Sequence, residues 1–190
     1  MAKKSKQHKG LIDPLSLLPR DRDDHGVVQI VIETPKGSRN KYAFDSKLRV
    51  FRLKKVLPVG MAFPYDFGFI PSTLAEDGDP VDVLVLMDEA AFPGCLLRGR
   101  LIGIIQGEQG KKKKYERNDR IIAIEEANHS YANVKHVTDL GKEFVKELEE
   151  FFVNYHELDG EQYRIRDVRG PREAKRRIRD GIHARKGMEF

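Results

Sequence analysis

Only one cysteine, Cys95, stands in the 190 residues. An internal disulfide framework is therefore excluded, and so is a zinc cluster built from thiolates. Set beside Gly94 in an apolar context, Cys95 is expected to be a small buried side chain. Long apolar runs are also missing, since none approaches the roughly 18 residues needed to span a bilayer. The basic opening residues, Met1 to Lys9, have no apolar stretch behind them, so a secretory leader is not expected. There is no internal repeat, no biased segment beyond one lysine run, and no histidine pair at the i, i+4 spacing of a metal-binding helix. What is present suits a packed core: 39% of residues are hydrophobic, with ten Phe and six Tyr. We expect a soluble, cytoplasmic protein with a single globular core.

Charge is placed unevenly. The net charge is +5, yet residues 1–20 carry +4, residues 161–190 carry +5, and residues 21–160 carry −4. The basic balance belongs to the two ends rather than to the body. The sequence thus divides into a basic N-terminal arm (1–20), a central domain (21–160) and a basic C-terminal extension (161–190) expected to be helical. Basic ends are often solvated tails, but they also suit docking to nucleic acid or polyphosphate. The run Lys111 to Lys114 lies among turn formers and reads as an exposed loop.

The central stretch reads as six or seven short strands with Gly/Pro-rich joins, the pattern of a barrel or sandwich. Val27 to Ile32, Val83 to Met87, Leu96 to Ile105 and Ile121 to Ile124 are apolar runs of the buried-strand type. Tyr42 to Phe44 and Leu48 to Leu53 form a hairpin pattern, and Phe67 to Ile70 is stopped by Pro71. Helices come late. Leu140, Phe144, Val145, Leu148, Phe151, Phe152 and Tyr155 share one helical face, with Asp139 as the expected N-cap and Gly160 as the stop. A second helix is expected to open at Pro171.

The most informative segment is Asp77-Gly78-Asp79-Pro80-Val81-Asp82, with three carboxylates in six residues. Like charges this close repel, so they must either face water or grip a cation. Pro80 stiffens the loop, and apolar sequence flanks it on both sides, which favours a hard-metal site. An EF-hand fits poorly, because Val81 and Asp82 stand where its fifth and sixth positions need other residues. Mg²⁺, which takes few carboxylates and keeps water or phosphate ligands, suits a short acidic loop.

At this loop the chain resembles a known family. Phe63 to Val85, reading FPYDFGFIPSTLAEDGDPVDVLV, is similar to the core of the soluble family I inorganic pyrophosphatases. Glu33 to Tyr42 (ETPKGSRNKY) resembles the family's first strand and lysine turn, and Phe151 to Tyr155 (FFVNY) its helical Phe-Phe-x-x-Tyr segment. The likeness covers about residues 27–156 and leaves both ends outside. It implies an α+β, mainly β fold, an OB-like five-stranded barrel with flanking helices. It also implies Mg²⁺-dependent hydrolysis of pyrophosphate and a homo-oligomeric assembly.

The resemblance assigns roles residue by residue. Asp77 and Asp82 match metal ligands, and Asp79 matches a metal-side carboxylate that serves the attacking water. Glu33 matches an acidic residue that organises the metals, while Lys41 and Tyr155 match donors to phosphate oxygens. Lys55 stands at an arginine position, keeping the charge but losing the bidentate fork. Each also has a structural reading: Glu33 as a strand-end charge, Lys41 as a hairpin lysine, Tyr155 as helix core.

Other positions depart from the pattern. Phe63 and Phe67 replace tyrosines, Ala43 replaces a glutamate, and His156 stands where lysine is common. Asn118 aligns with an aspartate ligand and Arg120 with a lysine. Glu108 and Asp119 are the candidates to supply the missing carboxylates, Asp119 only if the chain bulges, because one residue of offset turns a strand side chain to the opposite face. Two further readings stay open: a non-hydrolytic scaffold binding nucleic acid or polyphosphate through its basic ends, and another phosphoanhydride substrate.

Overall fold

The computed structural model describes residues 13–19, 26–111 and 114–187. Most of the basic N-terminal arm, and Lys112 and Lys113 of the lysine run, lie outside the described residues. Nine strands and two α-helices follow in the order β1 (Val27–Thr34), β2 (Asn40–Asp45), β3 (Val50–Val56), β4 (Asp66–Phe69), β5 (Asp82–Leu86), β6 (Leu96–Lys111), β7 (Lys114–Arg117), β8 (Arg120–Glu125), α1 (Gly141–Glu157), β9 (Gln162–Arg169) and α2 (Pro171–Gly187).

Five strands close a ring in the order β1, β4, β5, β8, β6 and back to β1. Only β5 and β8 run parallel, while the other ring contacts are antiparallel. Closure depends on β6, which spans sixteen residues. It pairs with β1 at Leu96 to Arg100, β8 from Gly99 to Ile105, β9 from Ile104 to Gly110, and β7 from Glu108 to Lys111. Register shifts at Leu101/Gly103 and Gln106/Gly107 bend it from one partner toward the next.

The apolar runs are continuous because these strands are buried on both faces. Leu84, Leu86, Ile122 and Ile124 join a cluster with Phe144, Leu148 and Phe152 of α1. Their sequence neighbours Val83, Val85, Ile121 and Ala123 join a second cluster with Val28, Ile30, Ile32 and, from α2, Ala174 and Ile178. In β4 a side chain is excluded at Gly68, where a Cβ would lie 2.1 Å from the carbonyl oxygen of Val31.

Several sequence expectations are corrected. Residues 162–169, read as part of a helical extension, form β9 and pair with β6. The lysine run is no simple loop: Lys111 ends β6 and Lys114 begins β7, directly opposite each other. Asp139 does not cap α1. It lies in a 3-10 turn, Val137–Leu140, and its carboxylate accepts from the backbone of Lys135 and His136 in a capping box. Cys95 is half-buried at the edge of the second cluster rather than enclosed. No helix among the described residues is long and apolar enough to cross a membrane.

Candidate active site

A single cavity of about 550 Å³ is lined by Glu33, Lys41, Lys55, Asp77, Asp79, Asp82 and Tyr155. Glu33 comes from the end of β1 and Lys41 from β2. Thr34 joins those strands, its hydroxyl donating to the carbonyl of Tyr42 and accepting from that residue's N–H, both at 3.0 Å. The Glu33 carboxylate accepts from the N–H of Phe44 at 2.8 Å, which fixes it toward the cavity. Burial pushes the Glu33 carboxyl up, with Lys41 pulling it back. Burial also pushes the Lys41 ammonium down, against the carboxylates of Glu33 and Asp82. Its Nζ sits 3.9 Å from the ring centre of Phe67 and 5.6 Å from that of Phe63. Phe63 and Phe67 thus offer the cavity aromatic faces to a cation, not hydroxyl donors.

Lys55, on β3, lies 4.2 Å from the ring centre of Tyr155 and pairs with Asp159 at 2.7 Å. The Tyr155 phenol is pushed up to about 12 by burial beside Asp159, so it stays a proton donor. Asp77 and Asp79 sit in the exposed loop before β5, where the N–H of Asp79 donates to the Asp77 carboxylate at 3.1 Å. Partial desolvation, together with the Asp77 charge, pushes the Asp79 carboxyl up. Asp82, deeper in, is pushed up by burial, while Arg120 and Lys41 oppose the shift.

Glu108 and Asp119 do not join this cavity. Glu108 is ion-paired with Arg166. Asp119 points to the reverse face, paired with Arg117 at 2.6 Å and Arg177 at 3.3 Å, and accepts from the N–H of Gly107. Asn118 and Asp119 lie in the break between β7 and β8, where Asn118, like Arg120, faces the cavity and Asp119 faces away from it. Gln109 lines the cavity in place of Glu108; the register shift at Gln106/Gly107 puts its extra residue, Arg166, on β9, so alternation along β6 runs on and sets Gln109 in step with Ile105. Sequence reading passed over Gln109, and also Lys54 and Arg185, which reach the same cavity. Arg185 had no local signal, since α2 brings it from the far end of the chain.

The inner wall is a linked polar chain. Arg120 Nη1 meets Asp82 Oδ2 at 2.7 Å and donates to Asn118 Oδ1. Asn118 Nδ2 donates to Gln109 Oε1, which also faces His156 Nε2 at 2.8 Å. The other ring nitrogen of His156, Nδ1, donates to the carbonyl of Phe152 at 2.7 Å. Arg120 Nε is buried with no partner among the described residues.

The donor chemistry divides the acidic loop. Asp77 and Asp79 make no ion pair among the described residues and fit a hard divalent cation. Asp82 does not fit as placed, because a guanidinium already holds it. Among the described residues, no three of His, Cys, Asp or Glu stand close enough together to form a metal cage.

Comparison with known proteins agrees with this geometry. The family profile described as inorganic pyrophosphatase matches residues 30–186, running on through β9 and most of α2, past residue 156 where the sequence resemblance stopped. An inorganic pyrophosphatase of Nostoc sp. is 42% identical over 134 residues, 70% of this chain and 77% of that one. One from Sulfolobus acidocaldarius is 36% identical over 161 residues, covering 82% and 90%. The crystal structure of an inorganic pyrophosphatase from Thermus thermophilus superposes with a TM-score of 0.84 at 32% identity, over 92% of this chain and 99% of that one. With the closed five-stranded ring and the profile match over most of its length, the chain belongs to the inorganic pyrophosphatase family.

Proposed function

We propose that this cavity hydrolyses inorganic pyrophosphate to two phosphates. The observation that carries the reading is one cavity in which acids from β1 and the β4–β5 loop face cations and donors from β2, β3, β8 and α1. A doubly phosphorylated anion needs its charge offset before water can approach phosphorus. In this reading Lys41, Lys55 and Tyr155 take phosphate oxygens, and the buried Nε of Arg120, which has no partner among the described residues, is a donor that such an anion would satisfy. Asp79, at the mouth, orients the attacking water, and Glu33 sets the field around Lys41. Mg²⁺ is the activating ion in this reading: Asp77 and Asp79 would hold it, and it would supply countercharge and lower the pKa of nearby water from ~15.7 toward ~7.

The family assignment leaves the non-hydrolytic scaffold without support. We place the activity in the cytoplasm, in keeping with the lack of any disulfide pair. We also read the chain as a homo-oligomer. Apolar side chains left exposed on β3, namely Val50, Leu53 and Val56, together with Phe92, support that. The test is phosphate release from pyrophosphate with Mg²⁺, run beside Asp79→Asn. Turnover in the parent and a loss of about a hundredfold or more in the variant is the expected result. An inert parent across Mg²⁺, Mn²⁺ and Zn²⁺ would overturn it.

A further inference from the structure

We propose that Arg120 is the resident countercharge of Asp82 and keeps this carboxylate out of the divalent-cation site, leaving the ion to Asp77 and Asp79. A hard divalent ion wants several anionic oxygens converging on it. The group in contact with Asp82 is instead the Arg120 guanidinium at 2.7 Å, with the Lys41 ammonium in the same cavity; the Asp77 and Asp79 carboxylates also act on Asp82 but stand in the exposed loop before β5. The two carboxylates expected to complete the site are spoken for elsewhere: Asp119 by Arg117 and Arg177, Glu108 by Arg166.

Arg120 is also fixed in place. Its side chain is only 5% exposed, with the guanidinium 5.5 Å from the ring centre of Phe67 and 5.3 Å from that of Phe152. A guanidinium only donates and does not lose its charge, so its polarity propagates outward. Asn118 must turn its oxygen to Arg120 and its amide hydrogens to Gln109, and Gln109 must turn its oxygen to Asn118. His156 lies beyond Gln109, its Nδ1 proton given to the backbone of α1. Asn118 and Gln109 are thus positioning residues for Arg120. A cation arriving at Asp82 would have to displace a charge anchored to a helix, two strands and two aromatic faces.

The inference rests on the pyrophosphatase reading only in expecting a divalent ion at all, and its test does not use turnover. Mn²⁺ is titrated into the substrate-free protein and the free-ion electron paramagnetic resonance signal is followed. Asp79→Asn is expected to weaken Mn²⁺ binding about tenfold or more, and Asp82→Asn by less than roughly twofold. Arg120→Gln is expected to tighten binding, and Asp82→Asn added to it to remove the gain. An Asp82→Asn loss as large as that of Asp79→Asn sinks the proposal. If Arg120→Gln does not fold, side-chain ¹⁵N spectra of the unaltered protein decide. The Arg120 resonances should hold as Mg²⁺ is added, and a shift that saturates with bound ion counts against the assignment. Phosphate release, assayed separately, shows which reading has failed: the metal pattern can stand in an inert protein or fail in an active one.

Discussion

His156 Nε2 stands 2.8 Å from Gln109 Oε1 while Nδ1 of the same ring donates to the carbonyl of Phe152, so one imidazole is wedged between α1 and β6 at the inner wall of the cavity. The ring is stacked on Tyr163 with centroids 4.8 Å apart. It has little room for added charge.

Burial pushes the His156 pKa down to about 4, with the Phe152 carbonyl pulling the other way and Arg120 and Lys55 adding to the fall. The unfolded chain, with an ordinary histidine, therefore binds the proton first. Stability contributed by the neutral ring is full above about pH 6.5 and is lost as pH falls toward 4, on the order of 1.4 kcal/mol per unit. Urea unfolding at pH 7, 6 and 5 should show this slope, and His156→Phe should flatten it. An unchanged slope in the variant would mean that other groups carry the acid sensitivity.

Lys41 separates activity from stability. Its ammonium is buried against two aromatic rings, and burial opposes its charge. Lys41→Met keeps the length and removes the charge. We expect phosphate release to fall by about 10²-fold or more, with unfolding free energy unchanged or higher. A stable variant with full turnover would remove Lys41 from the substrate set.

Gly68 is a steric requirement of the ring. A methyl group there would collide with the Val31 carbonyl at the β1–β4 pairing, where the neighbour is backbone and cannot swing aside. Gly68→Ala should cost about 2–3 kcal/mol, read as a lowered melting temperature. A melting point within a degree of the parent would show that the strands can part at no cost.

The C-terminal segment is predicted to be part of the folding unit. Tyr163, Ala174 and Ile178 are buried, and β9 pairs with β6 over most of its length. Removing residues 161–190 should yield an unfolded or aggregating chain, and Ala174→Asp should destabilise by about 3 kcal/mol or more. A truncated protein with a sharp thermal transition would restore the reading of an appended extension.

These cases mark where sequence was legible. The core strands were readable because burial on both faces writes uninterrupted apolar runs such as Val83 to Leu86. The acidic loop was readable because its members are neighbours in the chain. β9 was hidden: Tyr163 and Ile165 alternate with arginines, but the register shift opposite Gln106/Gly107 breaks the alternation before Val168. Glu108 was preferred to Gln109 for its charge, although Gln109 shares the two-residue period of Ile105, which packs in the same cluster as Phe152. At Asp119 the two-residue period already argued against an inward side chain, and the structure follows that period. Arg185 and His156 reach the cavity through helix packing, which no local pattern encodes.

The sixteen-residue strand β6 has one more consequence. Because four partners hang from it in succession, none of β1, β7, β8 and β9 can detach without leaving part of β6 unpaired, whereas β2 and β3 form a sheet of their own. Protons on its central amides should therefore trade with deuterated solvent only when the ring opens, making Ile104 and Ile105 the slowest reporters in the protein.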